Sequence, residues 1–380
     1  MKQWSNETMD GVLIVAVALM VVLGLVALAG LAFRTDPPNY GTFTRQLIAI
    51  ALGGVIAITL ARVDWRVWER GWMVVAGAVG VLLIGVLALG TTIHGTRGWF
   101  TIGSVTLQPV EFAKVGLILL QAAYFRRRAR DLDRLRTVVE SGAITAAVVV
   151  PVLLQPDLGS ALLLVATWLG MLVVVGLRKN HLIAIVAVAI IAVIVGWAFL
   201  LQPYQRDRIR TFLDPYRDPQ GAGYNQRQAV IAVGAGGWWG RGFGQGTQTQ
   251  LRFLPEAQSD FLPAVLAEEF GFFGMLLLLG CVLAALLRIA ALAARCADDF
   301  SAAFVVGFGL LFGIQALANV AMNMGVAPVM GFPFPFVSAG GSAVLAFSVG
   351  FGIVASIAAR TPRAERRVYE RDIGELGIGS

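Results

Sequence analysis

Residues 11–33 have the sequence GVLIVAVALMVVLGLVALAGLAF, which contains no charged side chain. About 20 apolar residues are enough for a helix to cross the hydrocarbon core of a bilayer, so this stretch predicts a transmembrane helix. It follows Lys2, as the apolar part of a secretory signal peptide would. Signal peptides have apolar segments of only about 7–15 residues, so we interpret it as a first membrane span.

The rest of the chain has a similar composition. Of its 380 residues, 57% are hydrophobic and 14% are charged, and the mean hydropathy is +0.76. Soluble domains carry roughly 25% charged residues, so a soluble enzyme, a disordered chain and a disulfide-rich scaffold are excluded. The apolar runs are continuous and do not alternate, which disfavours a transmembrane β-barrel.

We therefore predict an all-α integral membrane protein that forms one polytopic domain over residues 1–380. Further apolar runs after the first span predict about ten transmembrane helices. The predicted spans are 11–33, 46–61, 72–93, 109–125, 138–154, 159–177, 182–202, 262–287, 301–323 and 341–359.

The distribution of the Lys and Arg residues, which give the chain a net charge of +7, predicts its orientation in the membrane. With the N-terminus inside, the inner segments hold 19 Lys and Arg residues and the short outer segments hold three. Cytoplasmic loops are enriched in these residues, so both termini are expected in the cytoplasm, including a tail at 361–380. The basic charge is thereby explained without a nucleic-acid partner.

The segment 203–261 is predicted as a large extracytoplasmic loop between helices 7 and 8, and it contains seven arginines. Arg206, Arg208 and Arg210 stand close together, and guanidinium groups bind phosphate in a bidentate manner. The ligand would be a lipid-linked pyrophosphate, or simply the headgroups of ordinary membrane lipids. Within the loop, residues 224–233 have an apolar face and predict a helix at the membrane interface.

The loop ends with LPEAQSDF at residues 254–261, which places Asp260 at the start of the eighth span. A carboxylate at the membrane–water boundary could act as a general base on a substrate hydroxyl. The alternative is an ordinary helix N-cap by Ser259 or Asp260.

Ionisable residues also occur inside predicted spans. Glu111 and Lys114 are three residues apart, so they can meet on one helical face. Asp157 lies in the short break between spans five and six, and Glu268 and Glu269 lie in the first turns of span eight. Charges in hydrocarbon usually mark functional cavities, although neutralisation of one charge by another is a purely structural alternative.

Two glycine-containing segments have sequences that invite comparison with anion-binding sites. Residues 331–342, GFPFPFVSAGGS, stop one helix and start the next, and the free N–H groups at 340–342 could bind an anion. The alternative is a tight turn with close helix packing. Residues 240–246 resemble a phosphate-binding loop only superficially, because no Lys-Ser/Thr pair follows, and close packing is expected there.

These segments together resemble the SEDS family of bacterial proteins, which includes RodA, FtsW and SpoVE. The resemblance rests on QPVEFAK at 108–114, QPDLGSA at 155–161, LPEAQSDF at 254–261 and the signature from Asn319 to Ala343. Residues 246–251 and 266–269 look more like RodA than like FtsW. One departure is Gln258, which stands where the family has histidine.

The resemblance implies a peptidoglycan glycosyltransferase that polymerises lipid II at the outer face of the bacterial cytoplasmic membrane during elongation. It implies that Asp260 is catalytic and that a class B penicillin-binding protein is the partner. The substrate-binding residues would be Arg206, Arg208, Arg210, Gln228, Glu256 and Ser338. A divalent cation, Mg²⁺ or Mn²⁺, could assist, although the sequence identifies no metal ligands. The alternatives are a lipid II flippase and a non-catalytic scaffold for the penicillin-binding protein.

Overall fold

Apolar α-helices make up most of this computed structural model. It describes residues 10–33, 39–93, 95–103, 105–129, 131, 134–176, 178–181, 183–185, 187, 203–218, 221–251 and 253–361. The helices in the first half are α1 (Gly11–Phe33), α2 (Gly41–Arg62), α3 (Arg66–Arg70), α4 (Trp72–Leu89), α5 (Pro109–Arg127), α6 (Leu135–Leu154) and α7 (Leu158–Val175). Those in the second half are α8 (Pro203–Leu213), α9 (Ala222–Gly236), α10 (Thr247–Gln250), α11 (Leu262–Ala293), α12 (Asp299–Asn323) and α13 (Gly341–Arg360).

Eight of the described helices are long and apolar enough to cross a membrane, namely α1, α2, α4, α6, α7, α11, α12 and α13. Helix α5 adds a 19-residue helix that is buried on almost every face and carries the Glu111–Lys114 pair. The predicted fold class is therefore confirmed. The predicted span 182–202 lies almost entirely outside the described residues.

A small antiparallel sheet was not predicted. Strands β1 (Thr91–Ile93), β2 (Thr96–Ile102) and β3 (Val105–Leu107) pair in that order, in the connection between α4 and α5. The predicted third span, 72–93, was too long, because α4 ends at Leu89 and its last predicted residues form β1. Threonine and isoleucine favour strands, and Gly95 and Gly103 have the positive φ angles that tight strand connections require.

The predicted break between the fifth and sixth spans is confirmed. Helix α6 ends at Leu154 and α7 begins at Leu158. Asp157 is the N-cap of α7, and its carboxylate accepts a hydrogen bond from the Ser160 N–H at 3.0 Å. The cap satisfies one of the N–H groups that a helix start leaves without an intrahelical partner.

Helices α5, α12 and α13 form the centre of the bundle. Helix α12 contacts α5, α7, α11 and α13, and α13 contacts α2 and α5. Large aromatic side chains fill the space between them, including Phe308, Phe312, Phe336 and Phe347. By contrast, α1, α2 and α4 expose many of their apolar side chains, as helices that face lipid do.

Helix α11 is broken near its start, although its sequence predicts one continuous span. Gly271 has φ +65° and ψ −160°, so the helix divides into a buried part before it and a largely exposed part after it. The backbone carbonyls of Glu268 and Glu269 accept hydrogen bonds from the N–H groups of Arg241 and Gly242 at 2.9 and 3.0 Å.

The loop after α9 completes this break. The Phe272 N–H donates to the Gly237 carbonyl at 2.8 Å. Backbone N–H and C=O groups that would bond within a continuous helix therefore bond to the loop. The glycine-rich residues 240–246 thus pack against α11, as predicted. The helix expected at 224–233 is also present, as part of α9.

Candidate functional site

Four helix N-termini meet at one end of the bundle, around residues 331–342. Helix α13 begins directly after this segment, and the Gln108 N–H at the start of α5 donates to Ser342 Oγ at 2.9 Å. Gly159 at the start of α7 lies against the Met330 carbonyl. The start of α11 is joined to the segment by a hydrogen bond from the Ala339 N–H to the Gln258 carbonyl at 2.9 Å.

Each of these helix starts presents main-chain N–H groups near the 331–342 segment, and the C-terminus of α12 lies at the same end, where Asn323 bonds to the Asp260 carbonyl. The N-terminus of a helix carries roughly half a positive charge, from aligned peptide dipoles and N–H groups without intrahelical partners. Such ends favour anionic groups. The sequence predicts an anion-binding helix start only for α13, because the convergence of the other three helices depends on tertiary packing.

Asp260 lies at the meeting point. It is partly buried, and its Oδ2 would be 3.8 Å from a Cβ atom placed on Gly331. Its main-chain carbonyl accepts hydrogen bonds from the side-chain amides of Asn319 and Asn323 at 3.2 and 3.1 Å. The residue proposed as a base is therefore next to the 331–342 segment, held through its backbone.

The turn before Asp260 is stabilised by Glu256. Glu256 has φ +53°, and its carboxylate accepts a hydrogen bond from Ser259 Oγ at 3.0 Å. Its carbonyl accepts from the Ser259 N–H at 3.1 Å. These contacts shape the segment that carries Asp260, and the predicted role of Glu256 in binding substrate stays a prediction.

Ser338 is buried inside the 331–342 segment. Its hydroxyl accepts a hydrogen bond from the Phe334 N–H at 3.1 Å. Its carbonyl accepts from Gln46 Nε2 at 3.0 Å, and Gln46 Oε1 accepts from the Gly340 N–H at 3.2 Å. Gln46, on α2, was not singled out from the sequence, although a buried amide in an apolar span is a detectable signal.

The predicted pairing of Glu111 and Lys114 is present. Lys114 Nζ donates to Glu111 Oε1 at 2.7 Å, and the two side chains are 1% and 2% exposed. Lys114 also donates to Gln315 Oε1 at 3.2 Å, and Gln315 Nε2 donates to the Pro333 carbonyl at 2.9 Å. The buried ion pair is thus connected to the 331–342 segment.

Glu268 and Glu269 lie at the break in α11, and both are buried. Glu268 Oε1 accepts hydrogen bonds from the Gln248 N–H at 2.9 Å and from Thr247 Oγ1 at 3.4 Å, so it holds the start of α10. Glu269 faces α1, with Oε1 3.0 Å from the position of a Cβ on Gly30. Their placement fits the predicted structural role.

The predicted phosphate-binding arginines belong to α8. Arg210 is exposed and donates to Asp207 Oδ1 at 3.4 Å, while Arg206 is partly buried. The side chain of Arg208 lies outside the described part of the structure. Helix α8 contacts α9, which carries the partly buried Gln228.

A metal site would require clustered ligands among the described residues. No group of three or more His, Cys, Asp or Glu side chains within them is arranged to hold a metal ion. Magnesium is often held by only one or two carboxylates together with substrate phosphates and water. A divalent cation at Asp260 therefore stays a prediction.

Comparison with known proteins gives consistent matches over nearly the whole chain. The FTSW_RODA_SPOVE family model, described as cell cycle protein, matches residues 10–363. Peptidoglycan glycosyltransferase MrdB of Escherichia coli (strain K12) is 36% identical over 360 residues, covering 93% of this chain and 94% of that protein. A probable peptidoglycan glycosyltransferase FtsW of Nitrosococcus halophilus is 34% identical over 365 residues, covering 93% of each.

Solved structures agree with this match. A chain from a peptidoglycan synthase complex, described as coordinating polymerization and crosslinking, has a TM-score of 0.80 and 33% identity. It covers 93% of this chain and 98% of its own length. The rod shape determining protein RodA of Thermus thermophilus has a TM-score of 0.69 and 29% identity, covering 94% and 99%.

Proposed function

Since this chain belongs to the FtsW/RodA/SpoVE family of cell cycle proteins, we propose that it is a peptidoglycan glycosyltransferase that polymerises lipid II. The resemblance to RodA assigns it to cell-wall elongation and the maintenance of cell shape. The observation that carries the chemistry is the position of Asp260, beside the 331–342 segment where four helix N-termini meet. A base next to an anion-binding end suits a reaction that releases pyrophosphate.

The reaction needs only one base. The donor sugar is α-linked to pyrophosphate and the product is β-1,4-linked, so the anomeric carbon is inverted once. Asp260 accepts the proton of the acceptor 4-hydroxyl as the new C1–O4 bond forms. The bond between C1 and the phosphate oxygen breaks, and its electron pair leaves with the pyrophosphate. General-base catalysis of this kind contributes about 10²–10⁴-fold in rate.

The leaving group carries the negative charge that develops in the transition state. Helix N-termini stabilise such charge because their N–H groups are already oriented and need no reorganisation. Arg206, Arg208 and Arg210 on α8 are the proposed ligands of the pyrophosphate, together with Gln228 on α9. A bound Mg²⁺ or Mn²⁺ would add charge stabilisation at the same oxygens.

This function requires Asp260 to face the outside of the bacterial cytoplasmic membrane. We place residues 203–261 on that side and both termini in the cytoplasm, in agreement with the distribution of Lys and Arg. The chain would act as one polytopic domain. Its proposed partner is a class B penicillin-binding protein, because the similar chain comes from a complex that couples polymerization to crosslinking.

The inner half of the bundle argues against a flippase. Gln121 on α5 is buried there and donates to the Ser141 carbonyl and to Thr145 Oγ1, both at 2.8 Å. Trp168 Nε1 donates to Ser141 Oγ at 3.1 Å. The Gln121 amide nitrogen and the Ser141 and Thr145 hydroxyls are bonded to neighbouring groups, and Gln121 Oε1 is buried without a partner among the described residues. A transport path requires polar groups that can contact the passing headgroup, and most of the groups here are already bonded.

The test is incubation of purified lipid II in detergent with the protein and its cognate class B penicillin-binding protein, the latter carrying an inactivated transpeptidase site. Detergent abolishes the two membrane sides, so a flippase or a scaffold has no product under these conditions. Long glycan chains on a gel are expected. Absence of glycan, with lipid II translocation in vesicles containing the protein, would instead identify a flippase.

A further inference from the structure

Helix α12 carries three buried amide side chains on one face. Gln315, Asn319 and Asn323 are spaced four residues apart, which aligns them along a helix. They are 0%, 0% and 1% exposed, in a helix whose other residues are apolar apart from Asp299 and Ser301 at its start. Burying an amide is unfavourable unless its hydrogen bonds are satisfied, so their partners indicate why the interior of the bundle can hold them. We call these three residues the amide ladder.

The amide ladder bonds to backbone carbonyls at the candidate site. Asn319 Nδ2 donates to the Phe332 carbonyl at 2.9 Å and to the Asp260 carbonyl at 3.2 Å. Asn323 Nδ2 donates to the same Asp260 carbonyl at 3.1 Å. Gln315 Nε2 donates to the Pro333 carbonyl. One face of α12 therefore connects Asp260, the proposed base, to the neighbouring 331–342 segment.

Asn323 also fixes the start of α11. Its Oδ1 accepts a hydrogen bond from the Ala264 N–H at 3.2 Å, while its Nδ2 lies 2.8 Å from the Asn319 carbonyl and 3.1 Å from Asn319 Oδ1. The two asparagines thus support each other. A displacement of either would release both the Asp260 carbonyl and the first turn of α11.

The other end of the amide ladder is anchored by charge. Gln315 Oε1 accepts from Lys114, which is paired with Glu111. A charged donor makes a stronger hydrogen bond than a neutral one, so the orientation of the Gln315 amide is well determined. Gln315 then has its Nε2 directed at the Pro333 carbonyl.

We infer that Asn319 and Asn323 are positioning residues for Asp260. They donate hydrogen bonds to its main-chain carbonyl, and this positioning role rests on the proposed function of the Asp260 carboxylate. A base must lie within hydrogen-bond reach of the proton that it removes. A displacement of about 1 Å can lower the rate of a catalysed reaction roughly 100-fold.

The test compares Asn319→Leu and Asn323→Leu with a matched control, Gln121→Leu. Leucine keeps much of the volume of each side chain and removes its hydrogen bonds. Gln121 is 0% exposed and makes two hydrogen bonds, to Ser141 and Thr145 on α6. Its replacement therefore removes buried hydrogen bonds as the asparagine variants do, but far from Asp260. If Asn323→Leu does not fold, Asn323→Thr is used instead. The threonine hydroxyl is shorter than the asparagine amide and cannot make the same hydrogen bonds.

The first readout is steady-state polymerisation of lipid II. Both asparagine variants should lower kcat by about 10–100-fold with KM within about threefold, since the transition state and not ground-state binding is affected. Gln121→Leu should retain kcat within about twofold at a similar melting temperature. Full kcat in the asparagine variants, or an equal loss in Gln121→Leu, would overturn the inference.

The second readout is hydrogen exchange of residues 254–265, which needs no substrate. Loss of the amide bonds should speed exchange of these amides about tenfold in the asparagine variants and leave them unchanged in Gln121→Leu. Unchanged exchange in the asparagine variants would also overturn the inference. If the wild type produces no glycan but exchange responds as expected, the proposed function fails while the ladder still holds Asp260.

Discussion

Glu111 and Lys114 place opposite charges 2.7 Å apart in the interior of the bundle, where neither is accessible to water. The energetic value of such a pair lies mainly in what happens when one member is lost. Removing one partner leaves a buried charge without compensation, which costs about 3–5 kcal/mol, whereas removing both can be nearly neutral. The pair should therefore behave as a unit.

We predict that Lys114→Met lowers the free energy of unfolding by about 3–5 kcal/mol, because Glu111 is left buried and unpaired. The double variant Glu111→Gln/Lys114→Met should recover at least half of this loss. Unfolding by SDS in mixed micelles measures both. The control is Arg66→Gln, which removes an exposed ion pair with Asp64 at 3.2 Å and should change stability by less than about 1 kcal/mol. Equal losses in the single and double variants would show that the charge pairing is not the cause.

At the candidate site, the sequence provides candidate charged residues but does not indicate how they are held. The three-residue spacing of Glu111 and Lys114 is enough to predict their contact. The bonds of Gln46, Asn319 and Asn323 could not be predicted, because each joins segments distant in the chain. An amide side chain in an apolar span indicates a residue of this kind. Only the tertiary packing identifies its hydrogen-bond partner.

The break in α11 is the clearest departure of a helix from its sequence pattern. The apolar run after Asp260 predicts one span over 262–287, and neither Gly271 nor the nearby Glu268 and Glu269 predicts a break within it. The break depends on the loop after α9, whose backbone supplies the missing partners of Glu268, Glu269 and Phe272. The short sheet at 91–107 was also missed, since two of its strands, β1 and β3, have only three residues each, fewer than the usual five or six.

Gly271→Ala should prevent correct assembly of the α9–α11 region. With φ +65° and ψ −160°, Gly271 occupies a backbone region that is essentially restricted to glycine. An added Cβ would also collide with the Gly240 backbone nitrogen. We expect a melting temperature lower by about 1–4 °C, on the basis of a cost of roughly 1–3 kcal/mol in a chain of this length, measured by thermal unfolding in detergent.

The matched control is Gly280→Ala on the same helix. Gly280 has no neighbouring atom within 4 Å of an added Cβ, and alanine favours a helix by about 1 kcal/mol over glycine. This variant should be as stable as the wild type or more stable. A similar loss in both variants would mean that α11 tolerates no alanine at all, and that the break is not the reason.

The whole molecule is expected to cross the membrane with the Asp260 end outside and the arginine-rich turn between α5 and α6 inside. Leu251→Cys and Arg134→Cys test this orientation, because both positions are exposed at opposite ends. A membrane-impermeant maleimide should label Leu251→Cys in intact spheroplasts and Arg134→Cys only after permeabilisation. The reverse pattern would invert the topology.

The native cysteines should be replaced in this experiment by Cys281→Ala and Cys296→Ser. Cys296 lies between α11 and α12, and burial, together with the nearby Asp298 charge, raises the pKa of its thiol to about 11. Because the thiolate is the reactive form, Cys296 in the native chain should react slowly with maleimide at pH 7. Its background is therefore small even before it is replaced.

Asp260 is the proposed base in the polymerisation of lipid II. The most direct measurement is glycan chain formation by the protein with its class B partner, comparing wild type, Asp260→Asn and Asp214→Asn. Asp214 also lies in the 203–261 segment, where its carboxylate caps the turn at Pro215–Arg217. We predict that Asp260→Asn folds but loses at least about 100-fold in rate, while Asp214→Asn polymerises normally. Equal glycan synthesis by Asp260→Asn and wild type would contradict the account.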